Sequence, residues 1–249
     1  MVLVAGSSFA APRDFSLTWT TQSLDTGHRD LEVWATPRIA RVDPHQVLLD
    51  TRFGLTAGLT RWLETQLTVD LGFDSGLATQ TIDGRVSSVW HFTPLKGQRD
   101  AVGLGGVARV SLGVDVLALE ARLTLDKAVG RVLFAANASV SREWFWSGRS
   151  GVDTRAEESV AVRFAITPTT TFGAEGYLKS GFTHGAYQGS GLYFGPALSF
   201  QFTSVWLTVG MVAQVGADKA AADRGNGEPL TLRDNERFVG RLVLGTHLP

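Results

Sequence analysis

Five histidines and no cysteine set the limits of the side-chain chemistry open to this chain. Without cysteine there is no disulfide, thiol nucleophile or thiolate metal ligand. His28, His45, His91, His184 and His247 are scattered, and no two stand at a metal-ligand spacing, so neither a metal nor another cofactor is expected. A hydrolase acting on membrane substrates needs serine, histidine and a polar orienter on one face. Ser88 falls on the apolar face of its segment and no histidine does. His184 with Asp153 or Glu236 is the remaining acid–histidine combination, and nothing in the spacing brings them together. Each histidine therefore reads as a solvated loop or rim residue. GLGGVA at Gly103 to Ala108 lies in an extended segment with no helix after it, which excludes a phosphate loop and suits strand curvature or close packing.

The remaining chemistry is electrostatic. Ionisable residues recur on one face of alternating segments: Glu32, Arg38, Asp50, Arg52, Glu64, Asp70, Asp83, Arg85, Arg109, Glu120, Arg122, Asp126, Glu143, Glu157, Arg163, Glu175, Lys179, Arg237 and Arg241, ten acids and nine bases. Several stand two apart, as in Asp50 and Arg52, Asp83 and Arg85, or Glu120 and Arg122. In an extended chain that spacing puts both on one side, about 7 Å apart along the strand. Such a set either pairs into a lattice that fills a lumen or lines a pore with charge. A selective pore shows one sign in excess, so the near balance predicts weak ion selectivity.

The elements that must hold these groups are β-strands. In residues 117 to 126, Leu117, Leu119, Ala121, Leu123 and Leu125 share one face, and Ala118, Glu120, Arg122, Thr124 and Asp126 the other. That is a period of 2, sustained over the roughly 9 to 11 residues a tilted strand needs to cross a bilayer. The same alternation marks residues 30–41, 47–55, 62–73, 81–92, 102–112, 117–126, 132–144, 157–166, 171–179, 191–202, 206–215 and 237–248, twelve segments in all. Short links at 56–61, 127–131, 167–170 and 203–205 interleave with longer polar ones at 74–80, 146–154, 181–190 and 216–236. Outer-membrane barrels carry short periplasmic turns and long outer loops, which directs the C-terminus to the periplasm. Phe15 to Gln22 also alternates, but barrels of this kind have even strand numbers. That segment is therefore expected in the periplasm or in the lumen.

The reading is all-β: a transmembrane antiparallel up-and-down β-barrel of about twelve strands, one domain over residues 12–249. Residues 1–11, MVLVAGSSFAA, resemble the end of a secretory signal. Charge is nearly even, 23 basic against 24 acidic, so no nucleic-acid footprint is present. A soluble barrel also alternates, with its polar face outward. Twelve strands exceed the eight of a lipocalin-type barrel. A water-facing surface is also expected to use more lysine than the four found here. Trp34, Trp62, Trp90, Trp144, Trp146 and Trp206 lie near segment ends, as aromatic girdles do.

The tandem hairpins, the FGLT turn at Phe53 to Thr56, the signal-like start and the last segment RFVGRLVLGTHL together resemble bacterial outer-membrane β-barrel proteins, uncharacterised ones of this size in particular. The resemblance covers residues 15–249 and is one of architecture. It implies an outer-membrane location, membrane lipids and the barrel-assembly machinery as partners, and a structural role or passive passage of small solutes. An outer-membrane enzyme and a soluble lipid-binding barrel are the alternatives.

Overall fold

The computed structural model describes residues 15–39, 47–74, 81–97, 101–146, 151–219 and 236–249. Twelve strands follow in chain order: β1 (Arg29–Ile39), β2 (Val47–Thr60), β3 (Leu63–Asp74), β4 (Thr81–Leu95), β5 (Val102–Gly113) and β6 (Val116–Val129) form the first half. The second half is β7 (Val132–Phe145), β8 (Gly151–Thr167), β9 (Thr170–Thr183), β10 (Ala186–Gln201), β11 (Val205–Lys219) and β12 (Phe238–Leu248). Each pairs antiparallel with its sequence neighbours, and β1 pairs with β12 from Arg29↔Leu248 to Ile39↔Phe238, closing the sheet. No strand is left with an unpaired edge, as a wall inside a bilayer requires.

The alternation reads directly as two surfaces. Leu67, Leu123, Val160 and Met211 point outward, 58%, 51%, 63% and 58% exposed, as do Phe53, Phe134, Phe172 and Phe194. Their neighbours Thr68, Thr124, Ala161 and Val212 are buried inside. Among the described residues, the apolar face expected of each of the twelve segments is the outward one. Trp62 and Trp90 lie outside near the short-turn end, Trp62 edge-on to Phe92 at 4.8 Å, and Trp146 is exposed near the opposite end.

Three expectations change. Trp34 and Trp206 do not join an outer girdle: they sit inside with Val243 and Trp19. Their parity is that of Glu32 and Thr208, both of which are buried inside, and side-chain direction in a strand is set by parity before residue type. The long polar link at 181–190 shrinks to the turn His184–Gly185, with β9 and β10 laddered up to Thr183 and Ala186. Both turn residues have positive φ, 51° and 81°, the backbone a two-residue hairpin turn requires. Likewise β8 starts at Gly151, six residues before the expected 157. Where strands run past the apolar belt, both faces are polar and the periodic signal disappears, although the ladder continues. Residues 1–11, His45 and most of the 216–236 link lie outside the described residues, and β11 itself extends to Lys219.

Candidate functional site: the barrel lumen

The lumen divides into two parts. At the short-turn end it is filled by the chain's own N-terminal segment. Phe15, Ser16, Thr18, Thr20, Thr21, Ser23 and Leu24 are all buried there, so the thirteenth alternating segment lies in the lumen and is not a wall strand. Its peptide groups are taken up by wall side chains. Glu175 on β9 accepts the N–H of Ser16, Leu17 and Thr18 at 2.7, 2.7 and 2.9 Å, and also the Ser16 hydroxyl. Asn137 on β7 accepts from Trp19 N–H at 2.7 Å and donates to its carbonyl at 2.9 Å. Asp126 on β6 takes Thr21 N–H at 2.6 Å and its hydroxyl at 2.8 Å, and Glu64 on β3 takes Leu24 N–H at 2.8 Å. Bonds to an ionised acceptor are stronger than neutral ones, and they satisfy donors that would otherwise be stranded in the interior.

Wall glycines make room for this strap. A Cβ on Gly210 would collide with Ser16, one on Gly103 with Thr21, and one on Gly58 with the Asp25 carbonyl. Apolar contacts complete the seat: Phe15 packs on Leu133, Ala135 and Ala161, and Leu17 against Tyr193, Val212 and Val239.

Beyond the strap is a cavity of about 480 Å³, with Leu17 and Trp19 among the residues that line it. Thirteen of the nineteen expected lining residues border it: Arg38, Asp50, Arg52, Asp70, Asp83, Arg85, Arg109, Glu120, Arg122, Glu143, Glu157, Lys179 and Arg241. Asp70 lies between Arg52 and Arg109, the latter at 2.5 Å. Arg85 reaches Glu143 at 2.8 Å and Asp83 at 3.4 Å, and Arg122 holds Glu120 at 2.9 Å. Arg38 bonds Asp50 at 3.0 Å. Arg52 and Arg241 both lie over the Trp34 indole, 4.8 and 5.3 Å from its centre.

The other six are placed differently. Glu64, Asp126 and Glu175 hold the strap, and Glu32 accepts from the Trp34 indole at 3.0 Å and from Gln66 at 2.9 Å. Arg163 is half-buried near the short-turn end of β8 and does not border the cavity. Arg237 departs from the expected lining: its backbone bonds Ile39 on β1 and Gln214 on β11 just before β12, and its exposed side chain turns to the rim with the guanidinium 5.7 Å from the Phe238 ring.

Sequence reading missed Asn137, Arg155, Tyr177 and Glu236, which also border the cavity. Arg155 shares the parity of Glu157 and only the strand boundary hid it. Glu236 belongs to a link without periodicity, yet its carboxylate enters the lumen mouth and meets Arg38 at 2.9 Å and Lys179 at 3.4 Å. Burial works against its charge, but Lys179 and Arg38 outweigh it and hold its pKa down at about 2. It is therefore no partner for His184, whose ring lies against Gly151. His91 is buried, not solvated, and His247 half-buried, and each is held by an acid. His91 Nδ1 faces Glu64 at 3.1 Å and His247 Nδ1 faces Asp30 at 2.8 Å. The second ring nitrogen of His91 has no hydrogen-bond partner among the described residues.

Comparison with solved structures gives the same architecture. An outer-membrane channel from Pseudomonas putida F1 superposes with a TM-score of 0.61 at 14% identity, over 96% of this chain and 100% of that one. The NanC porin gives 0.58 at 13% identity, over 88% and 100%. The β-domain of the Bordetella autotransporter BrkA gives 0.52 at 12%, over 89% and 99%. The fold is that of bacterial outer-membrane barrels. No protein-family model matches this chain, and no curated protein sequence does.

Proposed function

We propose that this protein is an outer-membrane channel that passes small solutes passively through a charge-paired lumen narrowed by the N-terminal strap. The observation that carries the reading is the pairing of opposite surfaces on one closed wall: an apolar outer face and an inner cavity bordered by paired acids and bases. A soluble barrel would reverse the two, because exposed apolar area of this extent is stable only against lipid. Membrane lipids are then the partner of the outer face, and the barrel-assembly machinery acts during biogenesis. The short turns face the periplasm.

The cavity is bordered by eight bases, Arg38, Arg52, Arg85, Arg109, Arg122, Arg155, Lys179 and Arg241, and seven acids, Asp50, Asp70, Asp83, Glu120, Glu143, Glu157 and Glu236. That near balance supports weak selectivity between anions and cations. A transport role is supported by the lumen being lined with paired charges, while His91 and His247 are each bonded to a wall carboxylate. Reversal potentials of the refolded protein under a salt gradient test this. A permeability ratio within about threefold of unity is the expected result, and strong exclusion of either sign contradicts it.

A further inference from the structure

We propose that Phe15 to Leu24 is a hinged gate, held shut by Glu175, Asn137, Asp126 and Glu64 and released by swinging about Asp25 and Thr26. The inference rests on the channel reading above. Four observations carry it.

The strap joins the wall mainly through side chains. Strand ladders lock every second peptide on both edges, whereas here six N–H groups are taken by three carboxylates and one amide. All of these bonds can be exchanged for water without opening the barrel itself. Second, Glu175 and Asp126 have no ion-pair partner among the described residues, and their charges face the strap's own donors. The hydrogen bonds that each of them accepts come from the strap. Third, Gly58, Gly103 and Gly210 leave a track the shape of the segment, so the closed position is a seat built into three separate strands.

Fourth, the joint is local. Gly27 has φ of 87° and Gly58 exchanges two backbone bonds with it and its neighbour, Gly27 N–H to Gly58 O at 2.9 Å and Gly58 N–H to His28 O at 3.0 Å. Those bonds fix the chain after the hinge. Asp25 and Thr26, at the hinge itself, are exposed, while Leu24 and Ser23 are buried. The change from a buried to an exposed segment thus occurs between Leu24 and Asp25, which is where a swinging segment turns.

The absence of cysteine makes the test clean. Thr20 is buried in the closed state and its side chain makes no hydrogen bond among the described residues, so Thr20→Cys reports release. In refolded protein a charged, membrane-impermeant maleimide is expected to label it slowly, and at least about tenfold faster when Glu175→Gln and Asp126→Asn are added, because each amide keeps one acceptor and sets an NH₂ against the strap's donors. Heat-modifiable gel mobility confirms that each variant is a folded barrel. No labelling over hours, or an unchanged rate in the folded triple variant, overturns the gate.

The second arm reads the current. Ser23 Oγ and Thr93 Oγ1 are 3.0 Å apart, so Ser23→Cys with Thr93→Cys can be oxidised to tie the strap to β4. Oxidation is expected to abolish openings in planar bilayers and reduction to restore them. Openings that persist at the parent frequency after complete oxidation also overturn the gate. Release seen by labelling without any current in any variant leaves a moving strap and removes the channel, which separates the two readings.

Discussion

At the residue scale, the interior charges act as pairs whose value lies in the cost of breaking them. Asp70 is bonded to both Arg52 and Arg109, and its loss strands two guanidiniums. Asp70→Asn is expected to lower stability in detergent or bilayer unfolding by about 2 kcal/mol, the order found for bonds to charged groups. Adding Arg109→Ala should return part of that loss, and strict additivity in the double-mutant cycle would show that the pair is not coupled. Glu236 makes an acid-side prediction. Its carboxyl has an ordinary value of 4.5 and is held at about 2 by Lys179 and Arg38 against the effect of burial. Its stabilising contribution is complete above about pH 4.5 and is lost as pH falls toward 2. Glu236→Gln should flatten that part of a stability-against-pH curve, and an unchanged acid limb would refute the assignment.

At the scale of elements, parity carried nearly everything legible in the sequence. All twelve wall strands and their outward faces follow from alternation, because a closed sheet between lipid and water imposes opposite polarity on its two sides. What alternation could not show falls into two kinds. Strand ends beyond the apolar belt are polar on both faces, and this hid Arg155 and turned 181–190 into an apparent loop. The strap alternates like a strand but ladders with nothing, since its donors go to Glu175, Asn137, Asp126 and Glu64. Those three acids were legible as inward-facing, while their partner was not, because a peptide N–H leaves no mark in composition. Trp34 and Trp206 show the converse error, in which residue type was allowed to overrule parity. The outward face yields a direct test at Leu123, half exposed near the middle of β6. Leu123→Arg is expected to cost roughly 2 to 4 kcal/mol for folding into bilayers. A variant that inserts as well as the parent would mean that this face does not meet acyl chains.

At the scale of the molecule, the barrel is a wall of fixed ladders around contents that differ at its two ends. The strap occupies the short-turn end with polar side chains and apolar anchors, and the paired charges surround a cavity beyond it. Passage from end to end therefore depends on the strap and not on the wall, which is the central claim. Single-channel recording compares the refolded full chain with a variant lacking Phe15 to Leu24, both shown to be folded by heat-modifiable mobility. The account predicts a small, intermittent conductance for the full chain and a steady, ohmic conductance several-fold larger for the deletion. A folded deletion variant that carries no current, or one indistinguishable from the full chain, would contradict it.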